Sequence, residues 1–185
     1  MKKFVLLLIT VVSTFFFHQS LSAQEEKNAR MLIYAELGGP GVIMSANFDS
    51  RFKTNERLGL GFRLGAGFGY GNVKTIWYDH KWNYKYTEYL KRNYYSIPAG
   101  LNYVFGKPDS DQTFEVGAGA TFLTHNVSLY TNETKKAGHF IGFFTFMYRK
   151  MPVNGGFSWR IGLTPVIGTS GELRLTGAIG IGYAL

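Results

Sequence analysis

Three histidines, His80, His125 and His139, stand among polar neighbours between apolar stretches, with Asp79 before His80 and Ser128 three residues after His125. A histidine that deprotonates a serine hydroxyl while an acid orients its ring performs acyl transfer or hydrolysis. No spacing here fixes a base against a nucleophile, and loop histidines are ordinarily solvated, so no catalytic residue is assigned. Nor are any two histidines spaced as ligands on one strand face. With cysteine absent, the sequence assigns no metal site and no cofactor. Gly59, Gly61 and Gly65 lack the G-x-G-x-x-G spacing, and no helix follows on which a pyrophosphate could rest. Asn126-Val127-Ser128 and Asn132-Glu133-Thr134 match a glycosylation acceptor pattern by coincidence.

Binding chemistry has a better claim. Trp77, Tyr78, Lys81, Trp82, Tyr84, Lys85 and Tyr86 crowd one segment, 72–92, alongside Lys74, Tyr89, Lys91 and Arg92. Aromatic and cationic groups together suit sugars, phosphorylated lipid headgroups or an extracellular protein. The plainer reading is a long hairpin carrying an aromatic belt at a membrane interface. Trp82, Tyr84 and Tyr86 alternate with Asn83, Lys85 and Thr87, so the hairpin is expected to continue as β-structure beyond the membrane.

The element that positions these groups is legible from Leu58 to Tyr70, LGLGFRLGAGFGY. Every even position is apolar and every odd one is glycine, except Arg63. A period of two makes a strand with unlike faces, one greasy and the other nearly bare backbone. Bulky residues toward lipid and small or polar ones toward a narrow interior produce that pattern. At ~3.4 Å per residue and a ~45° tilt, the strand rises ~31 Å, enough to cross a bilayer.

Alternation recurs in eight segments: 31–38, 42–50, 58–70, 93–106, 112–124, 139–149, 156–167 and 172–185. Short turn-rich connections (51–57, 107–111, 150–155) alternate with a second set that includes the long 71–92 and the medium 125–138. That predicts an all-β, eight-stranded antiparallel up-and-down transmembrane barrel with both termini in the periplasm. The greasier parity of each segment contains no charge. The opposite parity collects Glu36, Asp49, Arg63, Glu115, Arg160 and Arg174, an expected interior network, with Glu36 meeting Arg174 at the seam between the first and last strands. Pro98 and Pro165 fall inside strands without a free edge, where a bulge or ladder break is expected.

Lys2 and Lys3, the apolar run Phe4 to Phe17 and Leu21-Ser22-Ala23 read as a cleaved signal peptide over 1–23. A polar lead-in at 24–30 and a barrel domain at 31–185 follow. Cleavage removes two lysines and no acid from a formal net charge of +8. The remaining excess is scattered, which argues against a nucleic-acid partner and suits a membrane rich in anionic headgroups or lipopolysaccharide.

Strands LGLGFRLGAGFGY, Tyr95-Ser96-Ile97-Pro98-Ala99-Gly100-Leu101, Phe114-Glu115-Val116-Gly117-Ala118-Gly119-Ala120 and Ile179-Gly180-Ile181-Gly182-Tyr183-Ala184-Leu185 carry a resemblance. The chain resembles the small eight-stranded outer-membrane β-barrel proteins of Gram-negative bacteria, the group that includes the outer-membrane protein A transmembrane domain and its X-type relatives. That resemblance implies a location in the cell outer membrane and a structural or surface-interaction role through extracellular loops, with a lumen filled by side chains. It also implies contact with outer-membrane lipid and lipopolysaccharide, and recognition of the last strand by the assembly machinery. Tyr183 matches the third-from-last aromatic of that strand, whereas Leu185 replaces the usual terminal aromatic. An extracellular glycan or protein would be the ligand of the loops. The alternatives are an acyl-processing enzyme of the same membrane and a soluble periplasmic ligand-binding barrel.

Overall fold

A computed structural model describes residues 29–54, 56–79, 81, 84–128, 138–168 and 171–185. The signal peptide at 1–23, the lead-in up to 28, His80, Trp82 and Asn132-Glu133-Thr134 lie outside the described residues. Eight strands follow one another: β1 Met31–Gly38, β2 Met44–Arg51, β3 Gly59–Asp79, β4 Tyr84–Gly106, β5 Gln112–Ser128, β6 Gly138–Lys150, β7 Gly156–Ile167 and β8 Leu173–Ala184. Each pairs antiparallel with the next, and β1 pairs with β8, so the sheet closes into a barrel. The seam is completed below the strands by mutual backbone hydrogen bonds between Met31 and Leu185.

The parity predicted for each strand is the parity observed. Leu60 and Leu64 on β3, Leu101 on β4 and Phe146 on β6 are exposed outward. Their alternates Arg63, Asn102 and Met147 are buried inside. On β6 the interior face is apolar as well, through Ile141, Phe143 and Met147. Val42 is not on the outer wall of β2, which begins at Met44; it sits in the β1–β2 turn at φ 80° and packs against the interior apolar cluster. A β-branched residue at positive φ is strained.

The turn itself, a short 3-10 stretch over Gly39–Gly41, folds into the barrel mouth, where all three residues are buried. Thr121 Oγ1 donates to Pro40 O (2.8 Å) and Ser96 Oγ to Gly41 O (2.8 Å). Beside it lies the cluster of Val73, Tyr94, Leu123, Val127, Ile141, Phe143 and Val166. The end of β5 reaches over this cluster after a register shift between Phe122 and Val127, and pairs Val127 with Val73 of β3. At the opposite end Ala29, Leu32, Tyr34, Met151 and Ala184 pack together.

The glycines of β3 have a spatial reason. A Cβ at Gly61 would strike the Arg51 guanidinium, one at Gly65 the Asn47 amide and one at Gly69 the Tyr94 ring. Bare positions on one strand therefore house large side chains from its neighbours. Pro98 and Pro165 cost less than a bulge. The β3–β4 ladder lapses between Leu64↔Ala99 and Gly67↔Ser96, and the β6–β7 ladder between Phe143↔Val166 and Phe146↔Leu163, with register kept across both gaps.

Gly71 tests this packing, since a Cβ there would find its nearest neighbour at an ordinary 3.5 Å. Gly71→Ala should fold like the parent, within about 0.5 kcal/mol. Gly69→Val forces the Tyr94 ring aside and should lose about 1–3 kcal/mol. Urea unfolding of the purified barrel, followed by circular dichroism, distinguishes the two.

Candidate functional site

Between the mouth and the base, inward positions of six strands deliver charged groups to the lumen. β2 brings Asp49 and Arg51, β1 Glu36, β3 Arg63, β5 Glu115, β6 Arg149 and β7 Arg160, each all but inaccessible to solvent. They form one alternating chain. Arg51 Nη2 lies 2.5 Å from Asp49 Oδ1, and Arg149 Nη1 lies 3.5 Å from Asp49 Oδ2. Arg149 Nη1 is also 2.6 Å from Glu115 Oε2, whose other oxygen meets Arg160 Nη2 at 2.9 Å. Arg160 Nε lies 3.3 Å from Glu36 Oε2, and Glu36 Oε1 is 2.9 Å from Arg63 Nη2.

Neutral groups complete the arrangement. Asn102 of β4 donates through Nδ2 to Asp49 Oδ2 and accepts from Arg51 Nη2 at 2.6 Å. Asn47 Oδ1 accepts from Arg63 Nη2 at 2.9 Å. Tyr34 stands between two guanidinium groups, with Arg160 Cζ 4.8 Å and Arg63 Cζ 5.6 Å from its ring centre, and its hydroxyl accepts from Arg160 Nη1 at 3.1 Å. Arg63 also lies 5.8 Å from the Phe143 ring, so its remaining faces meet π-electrons. β8 contributes space instead of charge: a Cβ at Gly180 would press on Arg160, and one at Gly182 on Tyr34.

Glu36, Asp49, Arg63, Glu115 and Arg160 thus meet in one connected group. Arg174 is not among them. It is exposed near the start of β8, and Glu36 pairs across the seam with Gly180. Six residues of strand separate Arg174 from that level, about 20 Å, which no pair of side chains spans. Glu36 takes Arg63 and Arg160 instead. Arg51 and Arg149 were missed, although parity could have found both: Arg51 continues the inward series of Asp49, and Arg149 that of Met147.

A further arginine closes the base. Arg57, in the β2–β3 connection, is buried and donates through Nη1 to Met151 O (2.8 Å) and through Nη2 to Ser110 O, tying three turns together. Burial pushes its pKa down, and the nearby Asp111 carboxylate opposes that shift.

Of the contact-loop residues, Trp77, Tyr78, Tyr84 and Tyr86 are exposed on the strands that extend beyond the barrel, Lys85 is exposed beside them, and Lys81 is exposed at the tip. His139 Nδ1 is held 2.8 Å from Leu123 O, with its ring stacked on Phe122. His125 Nδ1 lies 3.1 Å from Thr124 Oγ1. Among the described residues, no three metal-ligating side chains cluster.

No protein-family model and no curated protein matches the chain. Among solved structures, the N-terminal β-barrel domain of Pseudomonas aeruginosa OprF is similar, with a TM-score of 0.46 and 13% identity over 88% of this chain and 100% of that one.

Glu115 bridges Arg149 and Arg160. Glu115→Gln should therefore destabilise the barrel by about 3–5 kcal/mol, the cost of stranding a buried charge. Adding Arg149→Met should recover part of that loss. A double-mutant cycle on urea unfolding measures the coupling, and strict additivity would mean that the two groups do not interact.

Proposed function

We propose that the chain is an integral outer-membrane barrel, closed to diffusion, that serves a structural or surface-contact role through its extracellular end and is not an enzyme. One observation carries the reading: the barrel is apolar outside and charged inside. Outward rings form two levels. Phe105, Phe114, Tyr148 and Trp159 touch in sequence at one end, with centroids 5.4–5.9 Å apart. Tyr95, Phe122 and Phe140 mark the other. Between these levels no outward-facing residue of the described strands is charged.

That polarity opposes a soluble ligand carrier, which needs a wet exterior and an apolar cavity. It suits a bilayer, where a cation on the outer wall costs ~2–4 kcal/mol at the midplane. The inserted Gly39–Gly41 turn, the apolar cluster under it and the ion-pair chain support a lumen filled by side chains. The Thr124 hydroxyl beside His125 accepts from Tyr95 N and donates to Tyr95 O, and His139 is held at Leu123 O, which supports a non-catalytic reading over acyl processing. On this view the termini lie in the periplasm and the β3–β4 extension is extracellular, offering Trp77, Tyr84 and Tyr86 to a glycan or protein.

Leu64→Arg should abolish membrane assembly, scored by heat-modifiable mobility of the membrane fraction, while Leu64→Ala assembles. Purified protein in a planar bilayer should give no steady large conductance, and sustained channel openings would overturn the closed lumen. Replacing Trp77, Tyr84 and Tyr86 together by alanine should leave the barrel folded but abolish retention on glycan or matrix-protein arrays. A parent protein that binds no array member would remove the contact role.

A further inference from the structure

Above the upper aromatic level, β3 and β4 continue as a ribbon, paired from Gly71↔Arg92 to Asp79↔Tyr84. Its register sorts the charges by face. Lys74, Lys85 and Lys91 fall on the parity that faces outward lower down, in line with Tyr70 and Tyr95. Asp79, Glu88 and Arg92 fall on the other parity, which continues the interior face of Val73 and Tyr94. The outward face of the paired ribbon therefore carries lysines and no acid.

Two of these lysines are neighbours. Lys91 pairs with Asn72, and Lys74 with the residue two positions from Lys91. They are diagonal partners, about 7–8 Å apart on one face. Adjacent cations with no acid on their face repel each other unless an anion lies between them. Their height identifies which anion. Lys91 stands four residues above Tyr95, and Lys74 pairs two positions farther out, about 13 and 20 Å of strand and roughly 9–10 and 14 Å of rise at a ~45° tilt. A bilayer's headgroup layer extends about 5–8 Å beyond its hydrocarbon, and a lysine stem can bend its ammonium back toward that layer. Lys85 lies six residues higher still, above it.

We infer that Lys74 and Lys91 form a binding site for an anionic phosphate headgroup of the surrounding leaflet, which bridges the two ammonium groups and seats the base of the ribbon on the membrane surface. The inference rests on the proposed membrane insertion and adds to it a lipid class and two residues.

Barrels reconstituted in phosphatidylcholine vesicles, probed with spin-labelled phosphatidic acid and spin-labelled phosphatidylcholine, test it by electron paramagnetic resonance. A motionally restricted lipid component for either probe reports insertion; its absence would refute the membrane reading itself. Given insertion, the parent should select phosphatidic acid over phosphatidylcholine by about twofold or more, as attraction of surface lysines to anionic headgroups predicts. Lys74→Gln with Lys91→Gln should bring selectivity close to one. Arg92→Gln removes the same charge one residue away on the other face and should leave it intact, as should Lys85→Gln. Equal losses for Lys91→Gln and Arg92→Gln, or insertion without selectivity, would overturn the site. Displacement of phosphatidic acid by millimolar inorganic phosphate would reassign it to a soluble anion.

Discussion

The barrel depends on one alternating row of guanidinium and carboxylate groups across its lumen, from Arg51 through Asp49, Arg149, Glu115, Arg160 and Glu36 to Arg63. A buried ion is tolerable only when its partners replace water on most sides. Here each carboxylate meets a guanidinium on both oxygens, and each inner arginine lies between two acids. The row also dictates what surrounds it. Tyr34 fills the gap between two arginines, Asn47 and Asn102 supply the missing amide contacts, and glycines on β3 and β8 make the room. A slip of one residue in any contributing strand would turn its ion onto the apolar outer wall and its apolar neighbour inward. Register and interior chemistry are therefore one constraint.

Much of this was legible because the outer wall repeats. Strict alternation over residues such as Leu60 to Phe68 assigns faces without any knowledge of neighbours, and the strand number and faces follow from it. Height along the barrel axis does not. Glu36 and Arg174 each lie near the upper end of their own strand, but the β7–β8 hairpin rises past β1, whose Gly38 aligns with Ala178. This stagger arises from closing a tilted sheet and leaves no mark on a single strand's pattern. Arg51 and Arg149 were lost for a different reason. They lie at strand ends next to turns, where a charge reads as solvated even though its parity points inward.

The two ends of the lumen are filled by different means. At the base, Arg57 donates to carbonyls of two other turns, a fixed polar tie beneath the cluster around Leu32 and Met151. At the mouth, a turn held at positive φ by glycines at 38 and 39 and by Val42 lies inside the cylinder, with Ser96 and Thr121 donating to its carbonyls. Polar backbone that would otherwise be stranded among Phe143, Val166 and their neighbours is thereby satisfied.

The pairing of Tyr34 with Arg160 spans 126 positions of the chain. Glu36, on the same strand, also waits for Arg160, and the wall beside it waits for β8. A sheet of the first three strands would hold Asp49 beside Arg51 and Glu36 beside Arg63, but each acid would still lack its second guanidinium, Arg149 and Arg160, and would face an open cleft. Contacts of such long range slow folding, and here they also make partial products unprofitable. The interior salt chemistry thus acts as a completion check, favouring the closed sheet over one left half-built.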